Sequence, residues 1–358
     1  MGHRIAELLP SESITTAGTK TVDLNINDPI SRITVQLRLV NNLSVPTAHP
    51  ATAVSKIEVC DGSDLLFSMS GKEASALNFY DKGYLPFSSV NYENNIYSTV
   101  EFHLDFGRYL WDKLLALDPR RFNNLQIKIT HNLVTGGSTP DAGWIAVIVH
   151  AFDNGDISPQ GFLMSKRVYS YALAASGQEK IVLPADYDYR KILFGSLSDG
   201  NSPTSQIANV KLSVDNDKHV LVNNMSVSDL VKMLAPAKVK EAFYGIGTGA
   251  AVSYFVAPTY EQTVLVGPME NTLAATVTVN QGSGGSTDIL SDNNKAFQAI
   301  SQGHAPHGHI ALPQGDQLDP TDWLKVAQAS SIALTLTAGA AVGASSTAEV
   351  LLQQLRTY

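Results

Sequence analysis

Residues 31–42 read SRITVQLRLVNN, and their side chains alternate: Ile33, Val35, Leu37 and Leu39 fall on one side, Thr34, Gln36, Arg38 and Val40 on the other. A period of two marks a strand with one buried face. The same alternation returns in TVEFHLDF, where Val100, Phe102, Leu104 and Phe106 share a face, and in LQIKIT, TVTVN and SIALTLT. Strands are expected at 20–27, 31–41, 54–60, 64–69, 97–106, 123–131 and 143–152, and the chain reads as all-β.

Helical patterns are short. In SGKEASALNFYDKG, Ser70 followed by Glu73 forms a capping box, Ala74, Leu77 and Phe79 give an apolar face, and Gly83 ends the run. A second helical piece is expected in RYLWDKLLAL, stopped by Asp118 and Pro119. A third, SVSDLVKML, opens on Ser226 with Asp229 three residues on.

At 358 residues the chain exceeds the usual reach of one hydrophobic core, so two domains are expected. The turn-rich segment DNGDISPQGFLMSKR, from residue 153, separates two series of strands. The division expected is an N-terminal arm at 1–16, a first unit at 17–160 and a second at 161–358.

The two series resemble each other. IEVCDGSDLLFSMSGKEASAL (57–77) aligns with LSVDNDKHVLVNNMSVSDLVKM (212–233): strand, polar turn, strand, then Met-Ser-x-x-acid opening a helix. Further on, LDPRRFNNLQIKITHNLVTGGST (117–139) aligns with LDPTDWLKVAQASSIALTLTAGAAVGASST (318–347). Shared order points to internal duplication. The second copy then carries a large loop insertion at about 237–317, where loop compositions alternate with strands.

Composition narrows the function. Hydrophobic residues make up 44% and charged residues only 16%, against about 25% charged in an average soluble protein, a balance suited to sheets and packed interfaces. The net charge of -8, with no basic cluster beyond DPRRF at 118–122, leaves no electrostatic footprint for direct nucleic-acid binding. One cysteine, Cys60, excludes an intrachain disulfide and is expected to be a buried thiol in its strand. No signal peptide or 18-residue apolar stretch is present, and synthesis in a reducing cytosol is expected. The first residues, with Ile5, Leu8 and Leu9 on one face, are expected to form a short amphipathic turn or a frayed end.

Few motifs carry chemistry. GIGTGA (245–250) invites a dinucleotide-fingerprint reading, but that needs a strand before it, a helix after it and an acidic residue about twenty on, and the strand-like AVSYFVA follows instead of a helix. HAPHGHI places His304, His307 and His309 where a loop can offer imidazoles to a metal, and these three are the metal-ligand candidates. The acidic clusters DNGD (153–156), PADYDY (184–189) and SVDNDKH (213–219) lack EF-hand spacing and read as turns. No residue is a catalytic candidate and no cofactor is expected; the alternative to a structural metal ion at those histidines is an exposed or interface loop. Tyr80, Tyr84, Phe87, Tyr92, Tyr97 and Phe102 crowd one stretch, suited to core anchoring, a subunit contact or a sugar-binding face.

Two consecutive all-β units, each with a short helix after a strand, resemble the double jelly-roll major capsid protein of tailless icosahedral bacteriophages with an internal membrane, of the tectivirus, corticovirus and Flavobacterium lipid-phage types. The resemblance rests on the paired segments DGSDLLFSMSGKE and DNDKHVLVNNMS, on LDPRRFNNLQIKI and LDPTDWLKVAQASSIALTL, and on the insertion. It implies two eight-stranded jelly rolls and a structural, non-enzymatic role in homotrimeric, pseudo-hexameric capsomers that tile an icosahedral virion shell over a membrane. The partners implied are further copies of itself, neighbouring capsomers and minor capsid or vertex proteins. The insertion is then a candidate outward tower, and the N-terminal arm a candidate contact with neighbours or membrane. The location implied is the virion capsid, after synthesis in the host cytoplasm. The competing reading is a two-domain jelly-roll carbohydrate-binding protein or glycan hydrolase with its site in the insertion.

Overall fold

A computed structural model describes residues 2–153, 157–269, 278–344 and 346–358. The first half contains β1 (Gly2–Ile14), β2 (Ala17–Asp23), β3 (Ile30–Val40), β4 (Val54–Asp61), β5 (Asp64–Met69), α1 (Gly71–Lys82), β6 (Ser88–Asn91), β7 (Tyr97–Asp105), β8 (Leu125–Asn132) and β9 (Ala142–Asp153). The second opens with β10 (Gly161–Ala172), β11 (Gln178–Val182), β12 (Asp188–Leu197), the single turn α2 (Pro203–Gln206), β13 (Ile207–Val214), β14 (His219–Ser226) and α3 (Val227–Leu234). It continues through β15 (Val239–Ile246), β16 (Ala251–Phe255), β17 (Tyr260–Pro268), β18 (Thr278–Ser283), β19 (Ser286–Leu290) and β20 (Ala296–His304), and ends on β21 (His309–Pro313), β22 (Ile332–Ala338) and β23 (Thr347–Thr357).

Each half builds a jelly roll from the same strand order. In the first roll β1-β9-β3-β7 face β2-β8-β4-β5; in the second β10-β23-β12-β21 face β11-β22-β13-β14. The opening stretch is the central strand β3, in register with β7 (Val35 opposite Phe102, Leu37 opposite Val100) and with β9 (Val35 opposite Val147). Ile33, Val35, Leu37 and Leu39 are all fully buried. Each such side chain contributes about 1.5–3 kcal/mol of transfer free energy.

The sheets do not stop at the boundary between rolls. β5 pairs in parallel with β10, Phe67 opposite Ser165, so the β2-β8-β4-β5 sheet of roll one and a sheet of roll two form one eight-stranded sheet. The other sheet of roll one passes through β6 to β15 in a second parallel contact, Val90 opposite Phe243, and continues to β20 and β17. The insertion is therefore strand-built: β15, β20 and β17 extend roll one, while β16, β19 and β18 form a three-stranded sheet. Tyr92 of roll one is buried against Phe243 and Tyr254 in its core.

Several expectations need correction. The first residues are neither a helical turn nor a free arm but strand β1, paired along β9 from Gly2 opposite Asp153 to Ile14 opposite Gly143. RYLWDKLLAL folds into turns: the Asp112 carboxylate accepts from the backbone N–H of Arg108 (3.1 Å) and Leu114 (3.0 Å), and Trp111 takes a φ of 71°. Side-chain capture of backbone donors competes with the helical ladder there. The second capping box is half formed: the Asp229 N–H donates to Ser226 Oγ at 3.2 Å, but the Asp229 carboxylate accepts from that hydroxyl rather than from the Ser226 N–H. Aspartate is one methylene shorter than the glutamate that closes a box.

Other expectations stand. Cys60 is buried in β4. GIGTGA runs from the end of β15 into a turn and then strand β16. Asp215, Asn216 and Asp217 form a left-handed turn with φ of 55°, 52° and 69°. Residues 154–156 of DNGD and the first two residues of TVTVN lie outside the described residues.

Candidate functional site

Helix α1 joins the two rolls, and its sequence explains how. Ser70 Oγ accepts from the Glu73 N–H (3.3 Å) while the Glu73 carboxylate accepts from the Ser70 N–H (2.6 Å), closing the box. Gly71 must be glycine for packing: a Cβ there would stand 2.6 Å from the Ala51 carbonyl oxygen and 2.7 Å from the Phe102 ring. Gly83 ends the helix in the left-handed conformation, φ 79°.

Residues seven and eight apart lie on one side of a helix, and here that side meets roll two. Glu73 accepts from Arg167 of β10 at Nε (2.7 Å) and Nη2 (2.5 Å), and Arg167 also reaches Glu349 of β23 at 3.0 Å. Tyr80 donates its hydroxyl hydrogen to the His309 carbonyl oxygen (2.9 Å). Asp81 accepts from Arg190 (2.7 Å) and Lys191 (2.5 Å) of β12, with Gln353 of β23 at 3.4 Å. At the start of the helix Lys72 meets Asp199 at 3.2 Å. On the side toward its own roll, Lys82 and Arg32 share Asp105, and Asn78 donates to the His103 carbonyl.

Burial and charge oppose each other along this seam. Burial pushes the Asp81 carboxyl up, yet Arg190 and Lys191 outweigh it and hold the group well below the usual carboxylate range. Glu73 is likewise pushed up by burial and brought below its ordinary value by Arg167. Glu349 is raised, by burial and then by the neighbouring Glu73 carboxylate. His309 is driven down to about 4 by burial and stays a neutral imidazole. Buried ion pairs gain little over apolar packing, but losing one partner costs about 3–5 kcal/mol. The seam therefore penalises wrong docking of the rolls.

A second joint binds roll one to the insertion. His49 Nδ1 accepts from the Ala51 N–H (3.1 Å), which leaves the ring proton on Nε2, and Nε2 donates to the Glu241 carboxylate of β15 (3.1 and 3.2 Å). Glu241 also accepts from the Ala257 N–H at 2.7 Å.

The three histidines singled out in the sequence do not form one cluster. His304 ends β20, and His307 sits at φ 50° with its ring 4.7 Å from that of His49. His309 starts β21 and faces two glutamates: Glu73, His309 and Glu349 offer ligand atoms all within 4.8 Å of one another. Sequence reasoning missed both glutamates as partners, because they lie 236 and 40 positions away from His309. Among the crowded aromatics, Tyr92 and Phe102 are core residues, while Tyr84, Phe87 and Tyr97 are exposed.

No family model matches the sequence, and no curated protein is a sequence match. Solved structures do match. The STIV major capsid protein superposes with a TM-score of 0.60 at 11% identity, covering 100% of this chain and 97% of that one. The major capsid protein of bacteriophage PM2 gives 0.56 at 10% identity, with 100% and 98% covered. The PBCV-1 virus capsid gives 0.56 at 10% identity, with 99% and 94% covered. At such identity the likeness is one of fold, and the chain has the double jelly-roll fold along its whole length.

Proposed function

We propose that the chain is a structural major capsid protein, which assembles as a homotrimer whose six jelly rolls give a pseudo-hexameric capsomer, and that these capsomers tile an icosahedral shell over an internal membrane. The observation that carries it is end-to-end correspondence with viral capsid proteins, two rolls for two rolls with almost nothing left over on either chain. The seam supports the same reading, since a shell tile must keep its two rolls in one orientation. Glu73 and Asp81 spend their carboxylates on that joint.

On this reading the protein is not an enzyme, and its partners are copies of itself, neighbouring capsomers and minor capsid or vertex proteins. It resides in the virion capsid after synthesis in the host cytoplasm. It makes no direct contact with the genome, in keeping with its net charge of -8. Of the units marked out at 1–16, 17–160 and 161–358, the first acts as a contact segment while serving as edge strand β1 of the first roll, and the other two are built around the first and second rolls. Contact with a neighbour or the membrane falls to the outer edge of β1, where Ile5 is 66% exposed.

Light scattering after size-exclusion chromatography tests the proposal. A particle of about three times the 38.4 kDa chain mass, unchanged on dilution, is expected, because closed cyclic interfaces resist dissociation. A monomer at every concentration overturns it. Glycan binding by that monomer would move the assignment to a jelly-roll lectin working through Tyr84, Phe87 and Tyr97.

A further inference from the structure

We propose that Glu73, His309 and Glu349 form a binding site for one divalent transition-metal ion of the zinc type, a staple between the two rolls. The three come from α1 of roll one and from β21 and β23 of roll two. Their juxtaposition is built into the sheet. Gly195 of β12 is paired with His309 on one side and with Glu349 on the other, so the three residues form one cross-strand row. Residues directly opposite one another share a face of the sheet. The middle position has no side chain, and a Cβ there would come within 2.7 Å of the His309 ring. The glycine thus leaves a cradle, and Glu73 closes it from above.

Unpartnered atoms point into this cradle. His309 is fully buried and, apart from a weak contact with the His307 backbone, its ring nitrogens have no hydrogen-bond partner; Glu349 Oε2 is buried and has none either. Leaving such groups unpaired is unfavourable, because each has given up its hydrogen bonds to water. Glu73 is more heavily used: one oxygen accepts from Ser70 and Arg167, the other from Arg167 alone, which leaves that second oxygen a free lone pair.

A proton shared between the two glutamates would satisfy Glu349 but not His309. A metal ion takes an imidazole nitrogen and both carboxylates together. One nitrogen with two carboxylate oxygens is a donor set for zinc or a neighbouring first-row ion, since calcium and magnesium prefer oxygen alone. Zinc bonds of about 2.0–2.2 Å place tetrahedral ligands about 3.4 Å apart, so side-chain rotation must draw the donors inward from their present spread. Arg167 bonds to both Glu73 oxygens, the donor oxygen included, and to Glu349 Oε1, and it neutralises one of the two carboxylate charges.

The test uses the full chain, stripped with a chelator and then dialysed against zinc alone. One zinc per chain is expected, with a rise in melting temperature that the chelator reverses. His309→Gln and Glu349→Gln keep side chains of suitable polarity and are expected to fold while binding zinc at least about tenfold more weakly. Cobalt in place of zinc gives a readout on the wild-type chain by itself: intense visible bands of a four-coordinate ion support the site, and the weak bands of a hydrated octahedral ion overturn it. No bound zinc, or equal binding by wild type and both variants through other histidines, also overturns it. A melting temperature that ignores metal but responds to pH assigns the cradle to a shared proton instead. The inference is independent of the capsid assignment, which the oligomer mass decides.

Discussion

Helices α1 and α3 occupy equivalent places in the two rolls, each following a Met-Ser pair at the end of the fifth strand of its roll, yet they do different work. α1 is buried along most of its length, including Glu73 and Asn78, and it contacts both rolls. α3 buries only Val227, Leu230 and Val231 against its own roll and leaves Met233 67% exposed. The same local signal starts both helices. What differs is that α1 has a second roll to dock on, whereas the buried residues of α3 pack into the core of their own roll. A capped helix is thus a local event, and its importance to the molecule is set by what lies across from it.

This contrast can be broken by substitution. The largest effect is expected from Asp81→Asn, which leaves the buried Arg190 and Lys191 without their anion: a loss of about 3–5 kcal/mol in urea unfolding. Glu73→Gln is expected to cost about 2 kcal/mol, because Glu349 remains to pair with Arg167. In α3, Asp229→Ala removes only an exposed capping partner, and about 0.5–1 kcal/mol is expected. Equal losses at Asp81 and Asp229 would remove the distinction between the helices.

Acid sharpens the comparison. A carboxyl held below its unfolded value contributes stability that is complete above that unfolded value, about 4, and is lost as pH falls toward the lower folded value. The gap between wild type and Asp81→Asn should therefore be constant from pH 7 to about 4 and narrow below it. Urea melts at pH 7, 5, 4 and 3 check this, and a gap that closes by pH 5 contradicts the depressed carboxyl.

Much of the fold was legible in the residues. Strict alternation in β3, β7, β8 and β22 needs only one buried face, which any roll supplies, and Ser70, Glu73 and Gly83 mark both ends of α1 without outside help. RYLWDKLLAL misled because its apolar spacing is helical while Asp112 captures the backbone N–H groups on which the helix depends. β1 was missed because only its pairing with β9 makes a strand of a weakly alternating terminus. The metal candidates at His304, His307 and His309 were near in sequence, but the left-handed turn at Ala305 and His307 sends them to different neighbours.

The sequence by itself determined the all-β class, the duplicated order of elements and the caps of the helices, because those depend on side-chain period and on bonds spanning a few residues. Only the tertiary structure decided that both large sheets cross from one roll to the next, that α1 is a joint, and that Glu73 and Glu349 meet His309 over Gly195. Those facts rest on pairings between residues tens to hundreds of positions apart. A strand's own period says which face is buried, but not which strand lies beside it.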